Sequence, residues 1–230
     1  MEKIAVFVEG HTELLFVDEL VCQVAGRHNV QLEHREIRGG ATVPRRVRIL
    51  SSAPAAGQEY YVLIVDCGGD NQVKTRILEE HENLTRSGFV RIIGIRDVKP
   101  EFTRADIPRL EQGLRMYIRT SLIPVDFVLG VMEIEAWFLA EHTHFPRIES
   151  SITVARIAAT LGFDPEHDDM SYRNDPADDL DASYQLGGKR YKKGDSDVIG
   201  ALDFTEVYLN VATRAPQLDK LLGVLDAFLG

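Results

Sequence analysis

Apolar positions along this chain fall into short unbroken runs separated by stretches with helical spacing. The first run, residues 4–8, is apolar throughout and stops at Glu9-Gly10, after which Phe16, Val17, Leu20, Val21 and Val24 recur every three or four residues. An unbroken apolar run of strand length predicts a strand buried on both faces, and the following pattern predicts an amphipathic helix packed against it. The alternation continues: strand 4–8, helix 13–25, strand 31–37, helix 43–52, strand 60–65, helix 71–86, strand 90–95, helix 104–121 and strand 125–132. Strands and helices in alternation predict an α/β domain whose mostly parallel sheet carries helices on both faces. From Glu133 onward only helical spacing remains, over 133–141, 151–161, 176–183 and 204–228 with a break near Pro216. The expected organisation is an α/β domain over residues 1–140 followed by a helical C-terminal subdomain over 141–230.

The ends of the apolar runs carry the candidate chemistry. They read Glu9-Gly10, Asp66-Cys67-Gly68-Gly69-Asp70, Arg96-Asp97 and Glu133-Ile134-Glu135-Ala136-Trp137. Open α/β sheets bind ligands outside the carboxyl ends of their strands, so parallel neighbours would gather Glu9, Asp66, Asp70, Asp97 and Glu133 at one edge. Gly10 allows a tight turn, Thr12 is the expected helix cap, and Glu13 in the first turn is placed to converge with Glu9. Carboxylates crowded at a dry edge raise one another's pKa unless a cation joins them, and an all-oxygen set suits Mg²⁺ or Mn²⁺. Acids at strand ends also serve simply as first-turn helix residues, and for Asp70 and Asp97 that alternative stays open. Glu135 reads as an exposed helix residue and Trp137 as core.

Composition narrows the classes. The chain has 230 residues, 44% of them hydrophobic, and a net charge of −10, which argues against a surface that grips nucleic acid throughout. Basic patches remain at Arg35, Arg38, Arg45, Arg46 and Arg48 and at Lys189, Arg190, Lys192 and Lys193, each equally readable as a solvated face. Between residues 163 and 181, Asp164, Glu166, Asp168, Asp169, Asp175, Asp178, Asp179 and Asp181 are opposed only by Arg173. That acidic stretch reads as a solvated loop rather than a second metal site. Two cysteines give no disulfide framework, and no apolar run approaches the roughly 20 residues that span a bilayer. The expected location is the cytoplasm, without a membrane. HExxH, CxxC, a Walker lysine and a nucleophile elbow are missing from the sequence.

Glu9-Gly10-His11-Thr12-Glu13 after an N-terminal strand, followed by a strand ending in an acid-rich turn, resembles the Toprim domain of topoisomerases, primases and the overcoming-lysogenization-defect nucleases. The pattern is also similar to an uncharacterised Toprim-like bacterial family found beside ATPase genes, with Glu133-Ile134-Glu135-Ala136 and Tyr191-Lys192 as its later motifs. The resemblance covers residues 1–140. It implies a metal-dependent phosphodiester hydrolase, a nuclease in phage defence or DNA repair, with nucleic acid as substrate and a possible partner ATPase. Glu9, Asp66 and Asp70 would hold the first ion, Glu13 and Glu133 would serve a second ion or orient water, and Lys192 or Lys193 would balance charge on the leaving group. The pattern departs at the second strand, where Toprim domains carry Asp-x-Asp and this chain has Asp66 and Asp70 around two glycines; Asp97 could supply the missing ligand. The departure keeps open a second reading, a catalytically weak binding module that docks on the ATPase. A receiver-like phosphoacceptor centred on Asp66 is the third, and it lacks the paired acids wanted at the first strand end.

Overall fold

The structure, a computed structural model, describes residues 1–40, 42–52, 57–69 and 71–230. It is an α/β fold of the Rossmann/Toprim-like kind, built on a six-stranded, mostly parallel sheet. In chain order the sheet region holds β1 (Glu2–Val8), α1 (His11–Ala25), β2 (Val30–Arg38), β3 (Arg46–Ser52), β4 (Tyr60–Asp66), α2 (Gln72–Arg86), β5 (Arg91–Asp97), α3 (Ile107–Arg115) and β6 (Val125–Gly130). The strands lie in the order β3-β2-β4-β1-β5-β6. Contacts divide the chain into two units that interleave in sequence: Met1–Arg96 with Ala105–Val128 and Val224–Gly230, and Asp97–Arg104 with Leu129–Gly223.

In the first unit β1 is the central strand. It pairs in parallel with β4 and β5, and the register sets Val8 opposite Asp66. Ile4, Ala5, Val6, Phe7 and Val8 are each 0% exposed, as a strand covered on both sides must be. The topology gives the reason. From β1 the chain crosses past β4 to β2, and from β4 it crosses past β1 to β5, so right-handed connections send α1 and α2 over opposite faces. Neighbouring strands whose connections leave over opposite faces open a crevice at their carboxyl ends, and Glu9 and Asp66 stand there.

The segment 43–52, expected as a helix, is the edge strand β3, antiparallel to β2. Val43, Val47 and Leu50 mimic helical spacing, yet Val47 and Ile49 alternate with Arg46 and Arg48, and β-branched residues in alternation suit a pleated edge. Val47 faces Ile37, Arg48 lies 3.4 Å from Glu36, and Leu50 is the extra residue of a bulge opposite the step from His34 to Arg35. The expected helix 104–121 is also shorter. A 3-10 turn over Arg104–Asp106 leads into α3, which ends at Arg115 before Tyr117 takes the left-handed backbone (φ 68).

The second unit is helical: α4 (Glu135–Ala140), α5 (Phe145–Ile148), α6 (Val154–Leu161), α7 (Pro176–Gln185), α8 (Ser196–Ala201), α9 (Phe204–Glu206), a π-turn (Val207–Val211), α10 (Ala212–Arg214) and α11 (Pro216–Leu229), whose last residues belong to the first unit. Trp137, Phe138, Phe145, Leu180 and Tyr184 form its core. The acids of the 163–181 stretch mostly bind their own backbone or a nearby arginine. Asp169 accepts from the Ser171 amide, and Asp179 accepts from Arg173 at 2.7 and 2.9 Å. Among the described residues no helix is long and apolar enough to cross a membrane.

Close packing against the sheet is set by Gly94 in β5, where an added Cβ would lie 2.7 Å from Ile77 and 2.9 Å from Phe127. Gly94→Ala is expected to destabilise the protein by about 1–3 kcal/mol in urea unfolding, the usual cost of overpacking. Gly223, helical with open space around it, is the control: Gly223→Ala should stabilise by roughly 0.5–1 kcal/mol.

Candidate functional site

The strand-end acids are built from backbone geometry upward. Gly10 is the N-cap of α1, in extended backbone, and Thr12 lies inside the helix rather than capping it. Glu13 turns back along the helix, and its Oε2 accepts the Gly10 amide at 3.1 Å. This brings carboxylate oxygens of Glu9 and Glu13 within 4.8 Å of one another, with the two residues 6% and 5% exposed. The loop after β4 closes over the same strand end: the Cys67 amide donates to Val8 O at 2.9 Å and the Gly69 amide to Glu9 O at 2.8 Å. Gly68 (φ 81) and Gly69 (φ 133) supply the backbone that this path needs. A cation is already present, since Arg96 Nε lies 3.9 Å from Glu9 Oε1 and both side chains are buried.

Asp66 shares the carboxyl edge with Glu9, but its carboxylate is engaged elsewhere. Arg38, the last residue of β2, donates to both of its oxygens at 2.8 Å, and the Gly68 amide donates to Oδ1 at 2.9 Å. A bidentate guanidinium pair of this kind is strong and directional. Gly68 also makes room for it, because a Cβ there would stand 2.8 Å from Arg38. Asp70 lies outside the described residues.

A second group of acids forms within the helical unit around one lysine. Lys193 Nζ is 3.1 Å from Glu133, 3.7 Å from Glu135 and 3.9 Å from Asp97. Tyr191 donates its hydroxyl to Glu135 Oε1 at 2.6 Å, Glu133 Oε2 accepts the Ala177 amide at the start of α7, and Asp97 Oδ1 accepts the Ile134 amide at 2.9 Å. Gly130 is required for the last contact, since a Cβ would come within 2.2 Å of Asp97 Oδ1. Glu135 is fully buried, not the exposed helix residue expected. Burial pushes its pKa up, against the opposing pull of Lys193 and the Tyr191 hydroxyl. For Lys193 burial works downward, and Glu135, Asp97 and Glu133 together outweigh it, so the ammonium is held above its usual range. Of the two lysines expected here, Lys192 and Lys193, it is Lys193 that makes these contacts, with 49% of its side-chain surface still accessible.

Sequence reasoning gave Arg96 no role, named Tyr191 only as part of the Tyr191-Lys192 motif, and did not foresee the Arg38–Asp66 pair. The available signal was Arg96 itself, a charged residue between the apolar run Ile92–Ile95 and Asp97. In the acidic stretch, Asp164, Glu166 and His167 also bring ligand atoms within 4.8 Å, at a more exposed position. Comparison with protein-family models, with curated proteins and with solved structures gives no significant match.

The helical unit also buries a titrating pair, Glu141 and His144. Burial pushes Glu141 from 4.5 up to about 7, and burial lowers His144 from 6.5 to about 4. His144 therefore contributes stability that is present above pH 6.5 and lost as pH falls toward 4. Glu141 contributes stability that is present below pH 4.5 and lost as pH rises through 7. The two slopes oppose each other between pH 4.5 and 6.5. Glu141→Gln removes the falling slope of Glu141, so between pH 4.5 and 6.5 its melting temperature should rise more steeply with pH than that of the native protein. A slope in Glu141→Gln equal to the native one would refute the assignment.

Proposed function

We propose that this chain is a metal-dependent phosphodiester hydrolase acting on nucleic acid, with Glu9 and Glu13 holding Mg²⁺ or Mn²⁺. The observation that carries this reading is the pair of buried carboxylates, Glu9 and Glu13, held together at the carboxyl end of the central strand. Two such acids in a low-dielectric crevice offer an all-oxygen donor set that fits a hard divalent cation. An ion bound there would polarise a phosphoryl oxygen and lower the pKa of a coordinated water. The Gly10 amide keeps Glu13 turned toward the strand end, so the donor pair needs no rearrangement to receive a ligand.

The ligand set is thus smaller than the one read from the sequence. Asp66 is held by Arg38, and Glu133 by Lys193 and the Ala177 amide. The nucleic-acid substrate, the defence or repair setting and the cytoplasmic location rest on the resemblance to Toprim nucleases. The Arg38–Asp66 pair favours the competing reading, a binding module docked on an ATPase, because it occupies the acid that a Toprim site would give to metal.

Calorimetry with Mn²⁺ and a nicking assay on plasmid DNA and on RNA test the proposal together. Glu9→Ala and Glu13→Ala should each weaken Mn²⁺ binding by more than the ~10–100-fold typical of losing an outer-shell partner, and should abolish cleavage. Asp66→Asn should leave Mn²⁺ affinity within a few-fold of the native value. Unchanged Mn²⁺ affinity in both glutamate variants would overturn the metal site. Metal binding without cleavage of any nucleic acid, together with co-purification of an ATPase, would decide for the docking module.

A further inference from the structure

At the border of the sheet, away from the strand-end acids, three side chains of the first unit line up in the order of a nucleophile relay. The β2–β3 register sets Ser51 opposite His34. Ser51 Oγ lies 2.7 Å from His34 Nδ1, and His34 Nε2 lies 3.1 Å from Asp18 Oδ2 on α1. Ser51 is exposed, whereas the imidazole and the Asp18 carboxylate have 14% and 24% of their side-chain surface accessible. Asp18 is anchored in turn, since the Cys22 thiol donates to its Oδ1 at 3.6 Å. Burial first, and Asp18 second, push Cys22 up to about 12, so it remains a thiol donor and no rival nucleophile.

We infer that Ser51 is an activated nucleophile, with His34 as its general base and Asp18 as the residue that orients the imidazole, and that it reacts with acyl esters and their phosphonyl analogues. A carboxylate beside Nε2 selects the tautomer with the proton on that nitrogen, which leaves Nδ1 as the acceptor facing Ser51. The approach of Nε2 to Asp18 is close but off-line, short of a full hydrogen bond. A small rotation of the ring completes it, and relays in unliganded enzymes are commonly this loose. With an ester, the Ser51 Oγ–carbon bond forms as its proton passes to His34 Nδ1. The carbon–oxygen bond then breaks, and the departing alcohol takes that proton. Water attacking the acyl-serine, with His34 again accepting and returning the proton, releases the acid and restores Ser51. The relay uses none of the residues assigned to the metal, so it stands or falls independently of the hydrolase proposal.

The test uses the full folded chain and a fluorophosphonate probe, whose phosphorus bonds to Oγ as fluoride leaves and the proton goes to His34. Mass spectrometry should place the adduct on Ser51, and Ser51→Ala should remove it. His34→Ala should slow labelling about 100-fold, the usual scale of general-base assistance, and added imidazole should restore part of the rate. Asp18→Asn should slow it at least ~10-fold. Rescue by imidazole distinguishes a base from a cross-strand hydrogen bond that merely holds the edge together. No adduct on Ser51 in the native protein, or labelling equally fast in His34→Ala, would overturn the inference, and the first outcome does so even where a variant fails to fold.

Discussion

Burial of β1 on both faces is the constraint on which the rest of the first unit depends. A strand with apolar cover on each side has no position for a polar side chain along its length, so polar chemistry on its line is confined to where the chain leaves the sheet. Glu9 comes directly after five residues with no exposed surface, and Asp66 closes the neighbouring strand beside Val8. Crossovers in opposite senses send α1 and α2 over opposite faces, leaving this end of the sheet as a crevice. The glycine-rich loop after β4 then bonds back to Val8 and Glu9, which ties the geometry of one strand end to the other.

Buried carboxylates are tolerated only when opposed by positive charge or good donors, because an uncompensated charge in a protein interior costs several kcal/mol. Each acid cluster meets this requirement with a tethered cation of its own. Arg38 grips Asp66 with two parallel bonds, Arg96 approaches Glu9 at a longer distance, and Lys193 stands among Glu133, Glu135 and Asp97. A carboxylate saturated by a guanidinium fork has little left to offer a ligand, and Arg96 meets Glu9 at a longer distance than Arg38 meets Asp66. Beside its three carboxylates the Lys193 ammonium is held above its usual range.

The parts of the fold legible in the sequence were those written as local periodicity. The apolar runs at β1, β4 and β5 and the helical spacing of α1 and α2 each require a particular burial, and burial is what periodicity encodes. Where one pattern admitted two periods, as at residues 43–52, the reading as a helix was wrong. Val43, Val47 and Leu50 satisfy a helix as well as Val47 and Ile49 satisfy a strand, and only pairing with β2 decides between them. Helix 104–121 failed similarly, because its apolar spacing persists beyond the point at which the backbone turns at Tyr117.

By itself the sequence determined that acids would end the buried strands, that Glu9 and Glu13 would stand together across Gly10, and that the domain would be α/β. These follow from neighbours within a few residues, whose relations the chain geometry already specifies. Tertiary structure alone decided which cation each acid meets: that Arg38 reaches Asp66 across 28 positions, that Lys193 rather than Lys192 faces Glu133, and that Tyr191 covers Glu135 from 56 positions away. It decided as well that Ser51, His34 and Asp18 fall in line, since one helix and two antiparallel strands supply them. Charge compensation acts through space at a few ångströms and is indifferent to separation along the chain, so sequence spacing carries no record of it.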